Sequence, residues 1–197
     1  MIKAIIFDLG NVLILHDKEK FILEVLSKYK ISNRELFQKV ELENRLKMDY
    51  GEITSKEYIK NINKQTGSNI KEKDYYNIFF SKPQSKLNTK LIGLIKELRR
   101  KYKIFLLANN NKPMHEFIKL KNLDKFFDKV LISYQVGLKK PDSRFFKKLL
   151  HGTGIKPEEC ILIDDREDYM PKVKKLKMKT IVYKNFNQLL RDMKTCI

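Results

Sequence analysis

The chain has 197 residues, 42% of them hydrophobic, which is enough for one sizeable core and a small accessory unit but not for two large independent domains. Its 42 Lys and Arg against 24 Asp and Glu give a net charge of +18, which favours anionic partners; but the lysines are spread over the whole length among many Ile and Asn, with no aromatic RNA-binding stretch or Cys/His finger spacing, so nucleic acid is the less favoured partner. Only two cysteines, Cys160 and Cys196, no 18-residue apolar run and no leader-like start argue against a disulfide scaffold, a membrane span and export, leaving a reducing cytoplasm as the expected compartment.

The first element is "KAIIFD" at 3–8, apolar without alternation, as a strand covered by helices on both faces requires. The next strand-like run comes about ninety residues later, far more than a crossover needs, so the intervening chain must carry structure of its own. It reads as helices. In "DKEKFILEVLSKY", Phe21, Ile22, Val25, Leu26 and Tyr29 form one stripe, while Ser32 with Glu35 and Thr54 with Glu57 have capping-box spacing. Residues 16–84 are therefore expected to be a small helical cap inserted after the first strand, with Pro83 in "SKPQSKLN" marking a hinge back to the core formed by 1–15 and 85–197.

From there strands and helices alternate. "LIGLIKELRRKY" places Leu91, Ile92, Ile95, Leu98 and Tyr102 on one helical face, and "KIFLLA" at 103–108 and "KVLIS" at 129–133 read as strands. Pro141 is expected to open a helix that turns Phe145, Phe146, Leu149 and Leu150 inward, followed by strands "CILID" at 160–164 and "KTIVY" at 179–183. This alternation predicts an α/β fold, a doubly wound, Rossmann-like parallel sheet with its site outside the carboxyl ends of the strands.

Those strand ends carry Asp8, Asn109, and the pair Asp164 and Asp165, with Lys140 just after the third of the five runs. Carboxylates converging at one rim beside a lysine are the parts needed for Mg²⁺ and phosphate chemistry, because a hard cation takes oxygen ligands and a carboxylate can attack phosphorus. Taken singly, an Asp at a strand end is also a common turn former or helix N-cap, and one lysine among many is usually solvated. The adjacent acids are harder to explain without a compensating cation or hydrogen-bond donors.

The order of these residues carries a resemblance to the haloacid dehalogenase-like (HAD) superfamily. "IIFDLGNVL" resembles its first motif, "IFLLANN" its second, "YQVGLKKPD" its third and "CILIDDREDY" its fourth, and "YGEITSKEY" is similar to a stretch of the helical caps in the subgroup whose insertion follows the first motif. The resemblance implies that Asp8 is the nucleophile. It implies that Asp8, the backbone carbonyl of Gly10 and Asp165 are ligands of Mg²⁺, with Asp164 supporting them, and that Lys140 neutralises the phosphoryl oxygens.

Three positions depart from the superfamily pattern. Gly10 stands where most of its phosphatases have a second aspartate as general acid and base; "FDLGNV" resembles the branch containing sugar-1-phosphate phosphatases, where the glycine also occurs and the leaving oxygen is more acidic. His16 and Asp17 are possible stand-ins for the acid and equally read as turn and capping residues. Ala108 replaces a hydroxyl donor to the phosphoryl group, with Asn109 the nearest substitute, and Tyr169 replaces an Asp or Asn, with Asp168 beside it.

The expected activity is Mg²⁺-dependent hydrolysis of a small phosphate monoester through an aspartyl phosphate. The alternatives are a catalytically impaired relative that binds a phosphorylated ligand, nucleic acid or protein, and dehalogenation, which does not require the Asp164–Asp165 pair. Specificity is expected to lie in cap side chains that face the strand rim, and helical periodicity does not select which of Tyr50, Glu52, Tyr58 or their neighbours these are.

Overall fold

The computed structural model describes residues 1–81 and 84–197. The expected hinge residue Pro83 lies outside them.

All five expected strands form and pair in parallel. They are β1 (Ala4–Phe7), β4 (Lys103–Ala108), β5 (Lys129–Ile132), β6 (Cys160–Asp164) and β7 (Lys179–Val182), in the order β5-β4-β1-β6-β7. The chain builds outward from β1 through β4 to β5, then crosses back to β6 and β7. The carboxyl end of β1 therefore lies at the switch point of the sheet, where α/β folds open a crevice.

Alternation along β1 explains why its run is wholly apolar. Ile5 and Phe7 face a cluster that includes Leu91 and Ile95 of α5 (Thr89–Leu98), Met114 and Ile118 of α6 (Lys112–Leu120), and Leu189 and Met193 of α9 (Phe186–Cys196). Ala4 and Ile6 face the other cluster, with Phe145, Phe146 and Leu149 of α7 (Ser143–Leu150) and Val173 of α8 (Met170–Lys174). Both faces are dry, so neither can be polar. Pro141 does not open α7; Asp142 is its N-cap, accepting from the Arg144 amide, and Pro141 precedes it on a cis peptide bond.

Between β1 and β4, two three-residue strands, β2 (Ile14–His16) and β3 (Ser85–Leu87), pair antiparallel and form a stem. Neither is among the expected strands, since three residues are too few to display a period, and the boundary expected after residue 15 falls inside β2. Beyond the stem lie four helices: α1 (Lys18–Tyr29), α2 (Arg34–Asp49), α3 (Ser55–Thr66) and α4 (Glu72–Phe79). They share a separate core in which Phe21, Val25, Phe37, Val40, Ile62 and Tyr75 are buried. Thr54 and Glu57 form the expected capping box of α3, but α2 is capped by Asn33, whose side chain accepts from the Leu36 amide, and not by Ser32. Among the described residues no helix is long and apolar enough to cross a membrane.

Candidate active site

Register places the functional side chains. Phe7 pairs with Ile163, so Asp8 and Asp164 leave adjacent strands at the same level, and the Asp8 amide donates to the Ile163 carbonyl at 2.9 Å. The Lys140 ammonium sits between them, 2.6 Å from Asp8 Oδ1 and 2.6 Å from Asp164 Oδ2. All three residues are buried, Lys140 to 2% exposure and Asp164 completely. Burial pushes the Asp8 carboxyl up to about 6 against the pull of Lys140. Burial works against the lysine's charge too, but Asp8 and Asp164 outweigh it and raise its pKa. A lysine between two carboxylates stays charged even when dry.

Asp8, Asp164 and Asp165 each offer a carboxylate oxygen, and these lie within 4.8 Å of one another. An all-oxygen set of this compactness fits a hard divalent cation such as Mg²⁺. Asn11, in the left-handed region at φ 54°, closes the turn after β1 and donates from Nδ2 to Asp165 Oδ2 at 3.1 Å. Asn tolerates that backbone better than most side chains. Asp164 Oδ1 accepts from the Arg166 amide at 2.9 Å, which fixes the second carboxylate.

Several expected substitutes have other occupations. Asn109 is at the rim, but Nδ2 donates to the Lys140 carbonyl at 3.0 Å and to the Tyr169 hydroxyl at 3.2 Å, while Oδ1 accepts from the Lys140 amide at 2.7 Å. Its amide holds the lysine loop in place and is not a free donor. Asp17 is the N-cap of α1, accepting from the Lys20 amide at 3.0 Å. The His16 ring meets Ser85 Oγ at 2.8 Å through Nδ1, and burial lowers its pKa to about 4, so it is neutral near pH 7. Asp168 pairs with Arg166 at the surface. Ala108 is buried in the core, and where a second acid would stand, a Cβ on Gly10 meets no atom within 4 Å.

A pocket of about 350 Å³ opens over Asp8, Lys140, Asp164 and Asp165, and its far wall is α2, through Arg45, Leu46 and Asp49. A larger surface depression of about 600 Å³, lined by Arg99, Arg100 and Lys103 among others, lies toward the amino ends of β1 and β4, away from the carboxylates. Of the residues among which rim-facing side chains were expected, Tyr58 is buried in the helical core and Tyr50 is covered by the Lys139 ammonium 4.0 Å from its ring centroid, while Asp49, the neighbour of Tyr50, lines the pocket. Arg45 lies 3.0 Å from Glu41 and 3.5 Å from Asp49, each one turn away on α2. Asp49 Oδ1 also accepts from Asn111 at 2.8 Å, and its carbonyl accepts from the Ser133 hydroxyl. Burial raises the Asp49 carboxyl to about 6, opposed by Arg45 and Asn111. The missed signal was legible: Glu41, Asn44 and Asp49 interrupt the inward stripe of Phe37, Val40 and Met48, and charges on a buried face need a reason.

The model of the haloacid dehalogenase-like hydrolase family matches residues 2–171. D-ribitol-5-phosphate phosphatase of Bacteroides thetaiotaomicron is 25% identical over 84% of this chain and 84% of its own length. Drimenol cyclase of Aspergillus calidoustus is 24% identical over 98% of this chain, which spans 36% of that protein. A solved HAD family enzyme of Bacteroides thetaiotaomicron superposes with a TM-score of 0.83 at 27% identity, covering 96% of this chain and 98% of that one. The same enzyme has been solved in complex with magnesium and inorganic phosphate, with a TM-score of 0.78 at 28% identity over 97% of this chain and all of that one.

Proposed function

From the premise that the chain belongs to the haloacid dehalogenase-like hydrolase family, we propose that it is a Mg²⁺-dependent phosphatase of a small phosphorylated metabolite, a sugar phosphate or a near relative. The observation that carries the reading is the Lys140 ammonium held 2.6 Å from both Asp8 and Asp164 beside a third carboxylate at the switch point of the sheet. The phosphatase relative, whose name specifies a phosphorylated pentitol, supports the substrate class.

In this reading a carboxylate oxygen of Asp8 attacks phosphorus, the bond from phosphorus to the leaving oxygen breaks, and water then hydrolyses the aspartyl phosphate to return Asp8 and release phosphate. Lys140 offsets charge on the phosphoryl oxygens and holds Asp8 in line. Asn109 positions Lys140 through its backbone. Asp8, Asp164, Asp165 and the Gly10 carbonyl would hold Mg²⁺, which when bound supplies further charge compensation at the phosphoryl group. Residues 16–84 act as a cap over the 1–15 and 85–197 core, with the β2–β3 stem as their connection. Gly10 supplies no proton to the leaving oxygen, so acidic leaving groups are favoured.

Phosphate release with Mg²⁺ from acyl phosphates, sugar 1-phosphates, sugar 6-phosphates and nucleotides, comparing the native protein with Asp8→Asn, tests the proposal. Release that Asp8→Asn abolishes supports it. Absence of Asp8-dependent release from every compound refutes it and favours a binding protein, the reading suggested by Gly10, Ala108 and the occupied amide of Asn109.

A further inference from the structure

Next to the phosphate pocket is a second cavity of about 240 Å³ that the proposed chemistry does not use. The two share Gly10, Asn11, Arg45, Asp49, Asn109 and Asn110, so the cavity begins where the leaving group of a phosphate seated over Asp8 would project. Its further walls include Phe21, Phe79, Met114 and Glu41.

Glu41 is 5% exposed. Its Oε1 accepts from Arg45 Nε at 3.0 Å and from the Tyr58 hydroxyl at 3.2 Å. Its Oε2 is buried and has no hydrogen-bond partner among the described residues. A buried polar atom left unpaired costs about 1–3 kcal/mol, and more when it is charged. Glu41 lines the cavity beside the reaction centre, and a buried acceptor that the fold leaves without a donor there is matched by one that arrives with the ligand.

We infer that this cavity holds the leaving group of the substrate and that Glu41 Oε2 accepts a hydrogen bond from one of its hydroxyls, making Glu41 a specificity-determining residue for a polyhydroxylated, otherwise uncharged leaving group. The inference rests on the phosphatase reading and adds to it the residue that selects the alcohol. A second phosphate or a carboxylate is disfavoured because Asp17, Glu41 and Asp49 outnumber Arg45 and Lys18 around the cavity, with His16 neutral. An ammonium is disfavoured because Arg45 already neutralises Glu41. Phe21, Phe79 and Met114 give the carbon skeleton an apolar surface. At about 30 Å³ per water in the liquid, the cavity's 240 Å³ corresponds to about eight waters, space for a short polyol or a single sugar ring.

The test compares kcat/KM for a matched series of five-carbon phosphates in the full-length protein with Mg²⁺: the stereoisomeric pentitol 5-phosphates, pentyl phosphate, 5-aminopentyl phosphate and pentane 1,5-bisphosphate, with acetyl phosphate as a probe too short to reach Glu41. The expected result is that the best pentitol phosphate exceeds pentyl phosphate by at least about tenfold, because a site built to bond a hydroxyl rejects the analogue lacking it. Glu41→Gln is expected to reduce that ratio to about threefold or less, mainly by raising KM for the pentitol, since its amide presents a donor where the carboxylate accepted. Equal rates for pentitol and pentyl phosphates in the native protein, a preference for the amine or the bisphosphate, or a pentitol preference that survives Glu41→Gln overturns the inference. If Glu41→Gln does not fold, the native series alone still overturns it wherever no hydroxyl preference appears. Asp8-dependent hydrolysis of any compound in the series combined with any of those results leaves the phosphatase reading standing, whereas absence of Asp8-dependent release from all of them removes that reading first.

Discussion

Lys140 is the side chain on which the stability of the site and, in the proposed function, its chemistry depend. It is almost fully buried between Asp8 and Asp164, so removing it leaves two dry carboxylates facing each other without a countercharge. Breaking such a pair from one side costs about 3–5 kcal/mol. Lys140→Met is expected to abolish phosphate release and lower the urea midpoint by a corresponding amount, while adding Asp8→Asn restores part of the stability and none of the activity; strictly additive losses in urea melts would show that the charges are not coupled. Gly10 gives the opposite kind of experiment. Since a Cβ there meets no atom within 4 Å, Gly10→Asp has room for its side chain. It is expected to raise kcat on alkyl phosphates by about 10²-fold, the low end of general acid catalysis, and to change acyl phosphates little because their leaving groups need no proton. Equal effects on both classes would show that protonation is not what the glycine costs. At this scale Asp8, Asp164 and Asp165 were legible because strand ends in a parallel sheet converge whatever the details of packing, while Lys140, in the loop beyond β5, was singled out only by the company of these acids and the family resemblance. Glu41 and Asp49 left only the trace of an interrupted apolar stripe, because helical charges are usually solvated and it is the packing of α2 over the sheet that makes them and Arg45 face inward. The role of Asn109 depends on a contact 31 positions along the chain, which composition and spacing do not encode.

The elements show where local signals suffice and where tertiary contact decides. Thr54 and Glu57 form their capping box because both partners are local, whereas Asn33 caps α2 in place of Ser32, a choice between adjacent residues that propensity alone does not make. The stem strands β2 and β3 arise only because two distant short segments meet. The end of α2 is fixed against the core by Asp49, whose carboxylate and carbonyl accept from Asn111 and Ser133, and by Gly51 just beyond it. Gly51 has φ +76°, and a Cβ there would lie 2.5 Å from the Tyr134 carbonyl oxygen; Gly67, at φ +66°, has open space. Gly67→Ala is therefore expected to cost about 1 kcal/mol for its backbone alone, and Gly51→Ala clearly more. Similar losses in the two melts would mean that α2 shifts away from the core without resistance. Asp49 also gives the junction a pH dependence. Its folded pKa is raised from 3.8 to about 6, so its contribution is most favourable below about pH 3.8 and is lost as pH rises through about 6, on the order of 2–3 kcal/mol in all. Asp49→Asn removes that loss, so its stability relative to the native protein should grow between pH 4 and pH 7; a pH-independent difference in melting temperature would place the ionised carboxylate in a better solvated setting.

For the whole molecule, the +18 charge and the acidic rim pull in opposite directions. Excess positive charge repels a free divalent cation at long range, so any cation the protein takes up must be held by local ligands, and among the described residues the three carboxylates brought together at the ends of β1 and β6 are the set that can do it. Because that set exists only when the two strands are paired, binding it is linked to folding: a cation at 100 times its dissociation constant stabilises the folded state by about 2.7 kcal/mol. For a chain of this length each kcal/mol moves the melting temperature by about 2–4 °C, so saturating Mg²⁺ should raise it by about 5–10 °C at constant ionic strength. Asp165→Asn is the variant that isolates the site, since Asp165 is the least buried of the three carboxylates and does not contact Lys140. It is expected to melt near the native temperature without Mg²⁺ and to lose most of the shift with it. An unchanged shift in Asp165→Asn would locate the cation elsewhere, and a shift reproduced by KCl at the same ionic strength would assign the effect to screening of the lysines instead of to the strand ends.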